Sequence, residues 1–146
     1  MIASSKRRDW IGVSAVCFLY LLALGLRYLF LPFTNYDTDG YVRWYDFIVR
    51  HGQFKALGMD FTIYTPPYLY LLSIATLTRS FLPTIFAIKL IPITFDLINA
   101  FIVFKIVRLK YSTGKIPHLA ASLFLLAPTI WMNSALWGQI DSLYTC

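Results

Sequence analysis

Two aspartates one residue apart, Asp37 and Asp39, are the first candidates for chemistry in this 146-residue chain. Two carboxylates at this spacing can share a divalent cation such as Mg²⁺ or Mn²⁺, or one can act as a general base while the other orients a substrate. A structural alternative is that Asp39 only caps the helix that follows it. The pair indicates acid–base or metal chemistry if other polar groups converge on it.

A second group of polar residues lies at 137–142, which read Trp-Gly-Gln-Ile-Asp-Ser. Gln139 and Asp141 offer an amide and a carboxylate to a polar ligand, and Gly138 permits close approach of the backbone. An interfacial tryptophan at the end of a membrane span is the structural alternative for Trp137. The sequence contains no zinc-ligand spacing, no glycine-rich phosphate loop and no recognisable nucleophile motif.

The composition indicates which kind of fold must position these groups. Hydrophobic residues make up 58% of the chain and charged residues 14%, with a mean hydropathy of +0.63, whereas a globular domain carries about 25% charged residues. The net charge is +6, but the basic residues flank apolar segments instead of lining one soluble face, so we expect no nucleic-acid partner. An all-α, polytopic membrane protein in contact with membrane lipids is predicted.

Three segments are long enough to span a bilayer, residues 10–31, 85–107 and 116–136, because about 20 apolar residues cross the hydrocarbon core. The first segment has a cleaved signal peptide as its alternative, but its apolar run continues past the small-residue site, which favours an anchor. A fourth apolar stretch, 66–82, is slightly short, and a span there would break the positive-inside rule. We therefore predict three spans, a cytoplasmic N-terminus and an outer loop at 32–84. The basic residues assigned to the cytoplasmic side are Lys6, Arg7, Arg8, Lys105, Arg108, Lys110 and Lys115.

The outer loop is predicted to contain two juxtamembrane helices. Residues 41–51 place Tyr41, Trp44 and Tyr45 on one helical face, which indicates a helix lying on the membrane with its aromatic face down. A second helix begins near Tyr64, where the sequence Tyr-Thr-Pro-Pro places proline in a first helical turn.

Apart from Lys105 at the cytoplasmic end of the second span, three charged residues lie inside the predicted spans, where charge is costly. Arg27 is close to the outer end of the first span, so we expect its side chain to reach the lipid headgroups. Asp96 lies in the middle of the second span and is expected to hydrogen-bond neighbouring helices. Lys89 lies near the outer end of the second span, where a cation suits an anionic lipid head.

Taken in order, these features resemble the N-terminal part of the GT-C superfamily of integral membrane glycosyltransferases, and most closely its mannosyltransferase-like members that use polyprenyl-phosphate sugars. The resemblance rests on Tyr-Asp-Thr-Asp-Gly-Tyr at 36–41, Tyr-Thr-Pro-Pro-Tyr at 64–68, the cation Lys89, and Ala-Leu-Trp-Gly-Gln-Ile-Asp-Ser at 135–142. It covers most of the chain.

The resemblance implies roles for individual residues. Asp37 or Asp39 would be the base that deprotonates an acceptor hydroxyl, with a divalent metal at this pair in some relatives. Lys89 would stabilise the leaving phosphate and Asp141 would orient sugar or acceptor hydroxyls. The remaining expected substrate-binding residues are Gln139, Tyr64 and Trp137.

The implied function is transfer of a hexose from a polyprenyl-phosphate donor to an acceptor hydroxyl, with inversion, on the outer or luminal side of a bacterial inner membrane or the ER membrane. Relatives carry more spans, so we expect the chain to be an incomplete fragment that is inactive alone, completed by further helices of the same enzyme or by a partner chain. Two alternatives remain at this point. One is a non-catalytic small subunit or lipid-binding scaffold, and the other is a transporter fragment in which Lys89 and Asp96 line a pathway.

Overall fold

The computed structural model describes residues 2–146, with side chains from Trp10 onward. Helices account for 78% of the chain, and the described part contains no strand, which confirms the predicted all-α class. The side chains of Lys6, Arg7 and Arg8, the predicted cytoplasmic cluster at the N-terminus, lie outside the described residues. The α-helices are α1 (Ile2–Phe30), α2 (Tyr36–Arg50), α3 (Pro66–Ala75), α4 (Thr84–Lys110), α5 (Ile116–Leu126), α6 (Pro128–Trp131) and α7 (Asp141–Tyr144). Two 3₁₀ helices (Gln53–Gly58 and Thr76–Thr78) and a π-helix (Met132–Trp137) complete the order.

Two helices in the described part are long and apolar enough to cross a membrane, Trp10–Phe30 within α1 and Thr84–Lys110, which is α4. The third predicted span, 116–136, is not one continuous helix. It consists of two helical pieces, Ile116–Leu126 and Pro128–Trp137, bent by 53°. The break falls at Ala127 (φ −58°, ψ 126°), because a residue before proline is disfavoured in the helical region.

Helix α4 contacts most other elements of the described bundle; its largest interface is with α5, and α5 in turn packs against α1. Where these three helices meet, Ala23, Ala100 and Ala121 are buried together with Leu125. Small side chains at such crossings let helix backbones approach closely. Lys89 in the first half of α4 contacts the Phe33 carbonyl just after α1, whereas Lys115 just after α4 lies beside Gly12 in the first half of α1. The turn from α1 to α2 and the turn from α4 to α5 therefore lie at opposite ends of the bundle.

The two helices of the predicted outer loop, α2 and α3, pack against each other and against α4. Tyr41, Tyr45 and Ile48 of α2 are 4%, 2% and 0% exposed and belong to one core with α3 and the first half of α4. The prediction that this aromatic face lies down on lipid is therefore wrong, because α3 and α4 cover it. Helix α3 has 10 residues, a length of about 15 Å, and is not among the helices able to span.

Candidate functional site

The first turn of α2 is built around Asn35 and Thr38. Asn35 is the N-cap, and its side-chain oxygen accepts from the Thr38 backbone N–H at 3.0 Å. The Thr38 hydroxyl accepts from the Asn35 N–H at 2.7 Å, which completes a capping box. The helix therefore begins at Tyr36, five residues before the predicted start, and Asp39 is not its cap but lies inside the first turn.

Of the two predicted catalytic residues, Asp37 and Asp39, it is Asp37 that contacts the second polar segment at 137–142. Gln139 Nε2 donates a hydrogen bond to Asp37 Oδ2 at 3.0 Å, across 102 positions of sequence. Both Asp37 and Asp39 are exposed at the N-terminal end of α2, where the helix dipole favours negative charge. The two polar segments singled out in the sequence thus meet at one place.

The Asp37 and Asp39 carboxylates do not fit a shared divalent cation. Both residues lie within α2, and side chains two positions apart in an α-helix do not face each other. In the described part of the chain, no group of three or more His, Cys, Asp or Glu side chains is placed to hold a metal ion. The predicted metal site at this pair is therefore not supported by its geometry.

Gly138 allows the two segments to pack closely. Its φ is +71°, a left-handed conformation that glycine adopts without steric strain. A Cβ at this position would lie 3.1 Å from Thr38 Cγ2 and 3.5 Å from Lys89 Cγ. Asn35 adds a second link, because its Nδ2 donates to the Leu136 carbonyl at 3.2 Å. The buried Thr38 between the two aspartates is thus a packing residue.

Lys89 is not the exposed cation that the sequence predicts. It is 0% exposed, and its Nζ donates to the carbonyls of Phe33 and Ala135 at 2.6 Å each. It also donates to those of Phe30 at 3.1 Å and Leu136 at 3.2 Å. The amine therefore ties the end of α1 to the end of the π-helix, and its predicted contact with a donor phosphate is not supported by this position.

Arg27 also differs from its prediction. It is 2% exposed and forms a salt bridge with Asp96, with Nη2 2.8 Å from Oδ2. Its Nη1 donates to the carbonyls of Ala23 and Leu125 at 3.0 Å each. The expected extension of Arg27 to headgroups is wrong because a buried carboxylate partner lies on α4, 69 positions away.

Asp96 has the structural role predicted for it. Its Oδ2 accepts from the Ser134 hydroxyl at 2.5 Å as well as from Arg27, so it joins α1, α4 and the π-helix. Nearby on α4, Asn99 donates to the Ser142 carbonyl at 2.8 Å. These buried bonds hold the segment after the π-helix against α4.

Asp141 is exposed and begins α7. Asn133 Nδ2 donates to its Oδ2 at 3.1 Å, a partner that sequence reasoning missed. Asn133 lies eight residues earlier with no motif around it, so no local pattern marked it. Trp137 is 44% exposed.

Tyr64 belongs to an aromatic cluster next to α2. Its hydroxyl lies 3.0 Å from that of Tyr41, and its ring centroid is 5.0 Å from that of Trp44 and 5.4 Å from that of Tyr68. Burial is the main cause that raises the pKa of the Tyr41 hydroxyl, and the hydrogen bond with Tyr64 adds to it. Burial likewise raises the pKa of Tyr68. The Tyr41 and Tyr68 hydroxyls are therefore neutral at physiological pH.

Together these features define a helical protein with two helices able to cross a membrane and a polar site at one end of its bundle. No family model, no curated protein and no solved structure matches the chain.

Proposed function

We propose that the chain is the N-terminal module of a membrane glycosyltransferase that moves a hexose from a polyprenyl-phosphate donor to an acceptor hydroxyl. The observation that carries this proposal is the contact between Asp37 and Gln139 at 3.0 Å. It joins an exposed carboxylate near the start of α2 to the later polar segment, and these are two of the four features on which the GT-C resemblance rests.

We assign the general base to Asp37 rather than Asp39, because only Asp37 bonds to the second segment. Asp37 would take the proton of the acceptor hydroxyl as its oxygen attacks the anomeric carbon. The bond from that carbon to the lipid phosphate breaks in line, and the phosphate leaves with both electrons, so the configuration inverts. Gln139 would orient the base, and Asp141 would accept hydrogen bonds from sugar or acceptor hydroxyls.

The proposed topology has three spans and a cytoplasmic N-terminus. The bent pair Ile116–Leu126 and Pro128–Trp137 would form the third span, which places the loop at 32–84 and the segment at 137–142 on the outer or luminal side. Because Asp37 and Asp141 are both exposed, the described residues would form one wall of the site, and further helices from the same protein or a partner would complete it.

The transporter alternative loses its main support. Its two pathway residues, Lys89 and Asp96, are 0% and 1% exposed, and each is hydrogen-bonded to the helices around it. A pathway would need those groups to face water.

The test is hexose transfer in membranes of the native cell, with the wild-type chain replaced by single variants. Asp37→Asn should lower the transfer rate from a labelled polyprenyl-phosphate hexose at least about 100-fold, because a general base contributes about 10²–10⁴-fold. Asp60→Asn is the matched control, since Asp60 is an exposed aspartate of the same loop, and its rate should stay within about twofold of wild type.

Two outcomes would overturn the proposal. Membranes lacking the chain could transfer hexose as fast as wild-type membranes, or Asp37→Asn could match Asp60→Asn at equal protein level. The second outcome would favour the non-catalytic scaffold, in which the Asp37–Gln139 contact only joins two segments.

A further inference from the structure

A groove runs between α1, α4 and α5 in the half of the bundle away from the Asp37–Gln139 contact. It contains a cavity of about 330 Å³ and a second of about 290 Å³. The two cavities share Tyr20 and His118 as lining residues. We call this feature the α1–α4–α5 groove, and the Asp37–Gln139 site has no part in it.

Small residues create the space in this groove. Ala100 of α4 and Ala121 of α5 line the larger cavity and are 4% and 2% exposed. The lining residues Leu24 and Phe101 are instead 46% and 58% exposed. The groove therefore has a buried floor of small side chains and open apolar edges.

The dimensions of the groove suit one hydrocarbon chain. Lining residues on α1 extend from Val13 to Leu24, which is about 16 Å along a helix and about half of the ~30 Å bilayer core. A helix about 10 Å across would fill roughly 800 Å³ over a length of 10 Å, more than twice the larger cavity. A single acyl chain within one leaflet matches the length and width better.

Cations lie on the aromatic walls of the groove. Lys105 Nζ is 5.3 Å from the ring centroid of Phe101, and the guanidinium of Arg108 is 5.7 Å from that of Phe104. Both rings line the larger cavity. Residues 97–126 contain four Lys or Arg and no acidic residue, so this end of the bundle is complementary to an anionic headgroup.

We propose that the α1–α4–α5 groove binds an anionic phospholipid, with one acyl chain between the helices and its phosphate held by Lys105 and Arg108. The acyl chain covers the exposed apolar edges of the groove, and Lys105 and Arg108 neutralise the phosphate of the headgroup. This inference does not depend on the proposed transferase activity, because it uses none of the residues of the Asp37–Gln139 site.

The first test is native mass spectrometry of the whole chain released from bicelles that contain equal phosphatidylglycerol and phosphatidylcholine. Wild type should retain one phosphatidylglycerol in preference to phosphatidylcholine. Lys105→Gln with Arg108→Gln should lower that retention about 25-fold, about fivefold for each cation. The matched control is Arg50→Gln with Lys55→Gln, which removes the same charge from exposed outer-loop positions and should leave retention unchanged.

A second test uses phosphatidylglycerol with a photoactivatable diazirine in its acyl chain, and it needs no variant. Cross-links should form more often at groove residues such as Leu24 and Phe101 than at Phe18. Phe18 is the control position, because it is 62% exposed but does not line the groove. Equal retention of the two lipids would refute the proposal, and so would equal cross-linking at Phe18. A lipid-free dimer would refute it as well, because a second copy would then cover the groove.

Discussion

Breaking the buried Arg27–Asp96 pair should strongly destabilise the bundle. Arg27 contacts Oδ2 of Asp96 through Nη2 at 2.8 Å and Nε at 3.3 Å, and the two residues are 2% and 1% exposed. Asp96→Leu leaves the guanidinium buried with only the two backbone carbonyls as acceptors. Arg27→Leu leaves the carboxylate buried with uncharged serine hydroxyls as its remaining side-chain donors, of which Ser134 lies 2.5 Å from Oδ2.

Each single variant should lower the free energy of unfolding by about 3–5 kcal/mol, because removal of one partner leaves an uncompensated buried charge. The double variant Arg27→Leu/Asp96→Leu removes both charges, and it should be less destabilised than either single variant. The coupling free energy of the cycle should therefore be at least about 3 kcal/mol.

The assay is reversible unfolding in mixed micelles, followed by far-ultraviolet circular dichroism. Thr94→Val is the matched control, since Thr94 is exposed on the same helix, and it should change stability by less than about 0.5 kcal/mol. Single variants as stable as the control, or additive effects in the double variant, would refute the structural role assigned to this pair.

Three further predictions concern the links around the candidate site. Lys89→Met should destabilise the fold by at least about 3 kcal/mol in the same assay, because several carbonyls lose a charged donor worth about 1.5–3 kcal/mol each. Gly138→Ala should lower the free energy of unfolding by about 1–2 kcal/mol, because alanine is strained in the left-handed backbone conformation, and the close contact of its Cβ with Thr38 should lower it further. Gly25→Ala is the control and should not destabilise the fold, because a Cβ there meets no atom within 4 Å. Burial raises the pKa of Tyr41 above its ordinary 10.0, so the unfolded chain loses this proton at a lower pH than the folded chain. The free energy of unfolding should therefore fall as the pH rises above about 10. Tyr41→Phe should show a shallower fall when unfolding free energies are compared at pH 9 and pH 11.

The parts of the fold that local pattern controls could be predicted from the sequence. The two apolar helices, the proline start of α3 at Pro66 and the absence of a long helix over 66–82 all follow from composition and proline chemistry. The bend before Pro128 was also readable, because proline disfavours helix at the residue before it. It was missed because the apolar run across that position is continuous.

The parts that depend on distant partners could not be predicted. Arg27 has the local pattern of a residue that extends to headgroups, and only Asp96, 69 positions away, changes that interpretation. Lys89 likewise binds carbonyls from two other segments. In the candidate site, the sequence singled out Asp37 and Gln139 as separate candidates, but their contact depends on how Thr38 packs against Gly138, which no spacing reveals.

The measurement that tests the central claim most directly is thiol cross-linking between positions 37 and 139 in intact membranes. Asp37→Cys and Gln139→Cys are combined on a Cys17→Ser/Cys146→Ser background and treated from the outside with a short, membrane-impermeant bifunctional reagent. Ser112→Cys with Gln139→Cys is the control pair, because Ser112 follows the far end of α4. The account predicts rapid cross-linking of 37 to 139 and none of 112 to 139. Absence of the 37–139 cross-link while each cysteine reacts alone, or reaction of the two cysteines from opposite sides, would contradict a shared site.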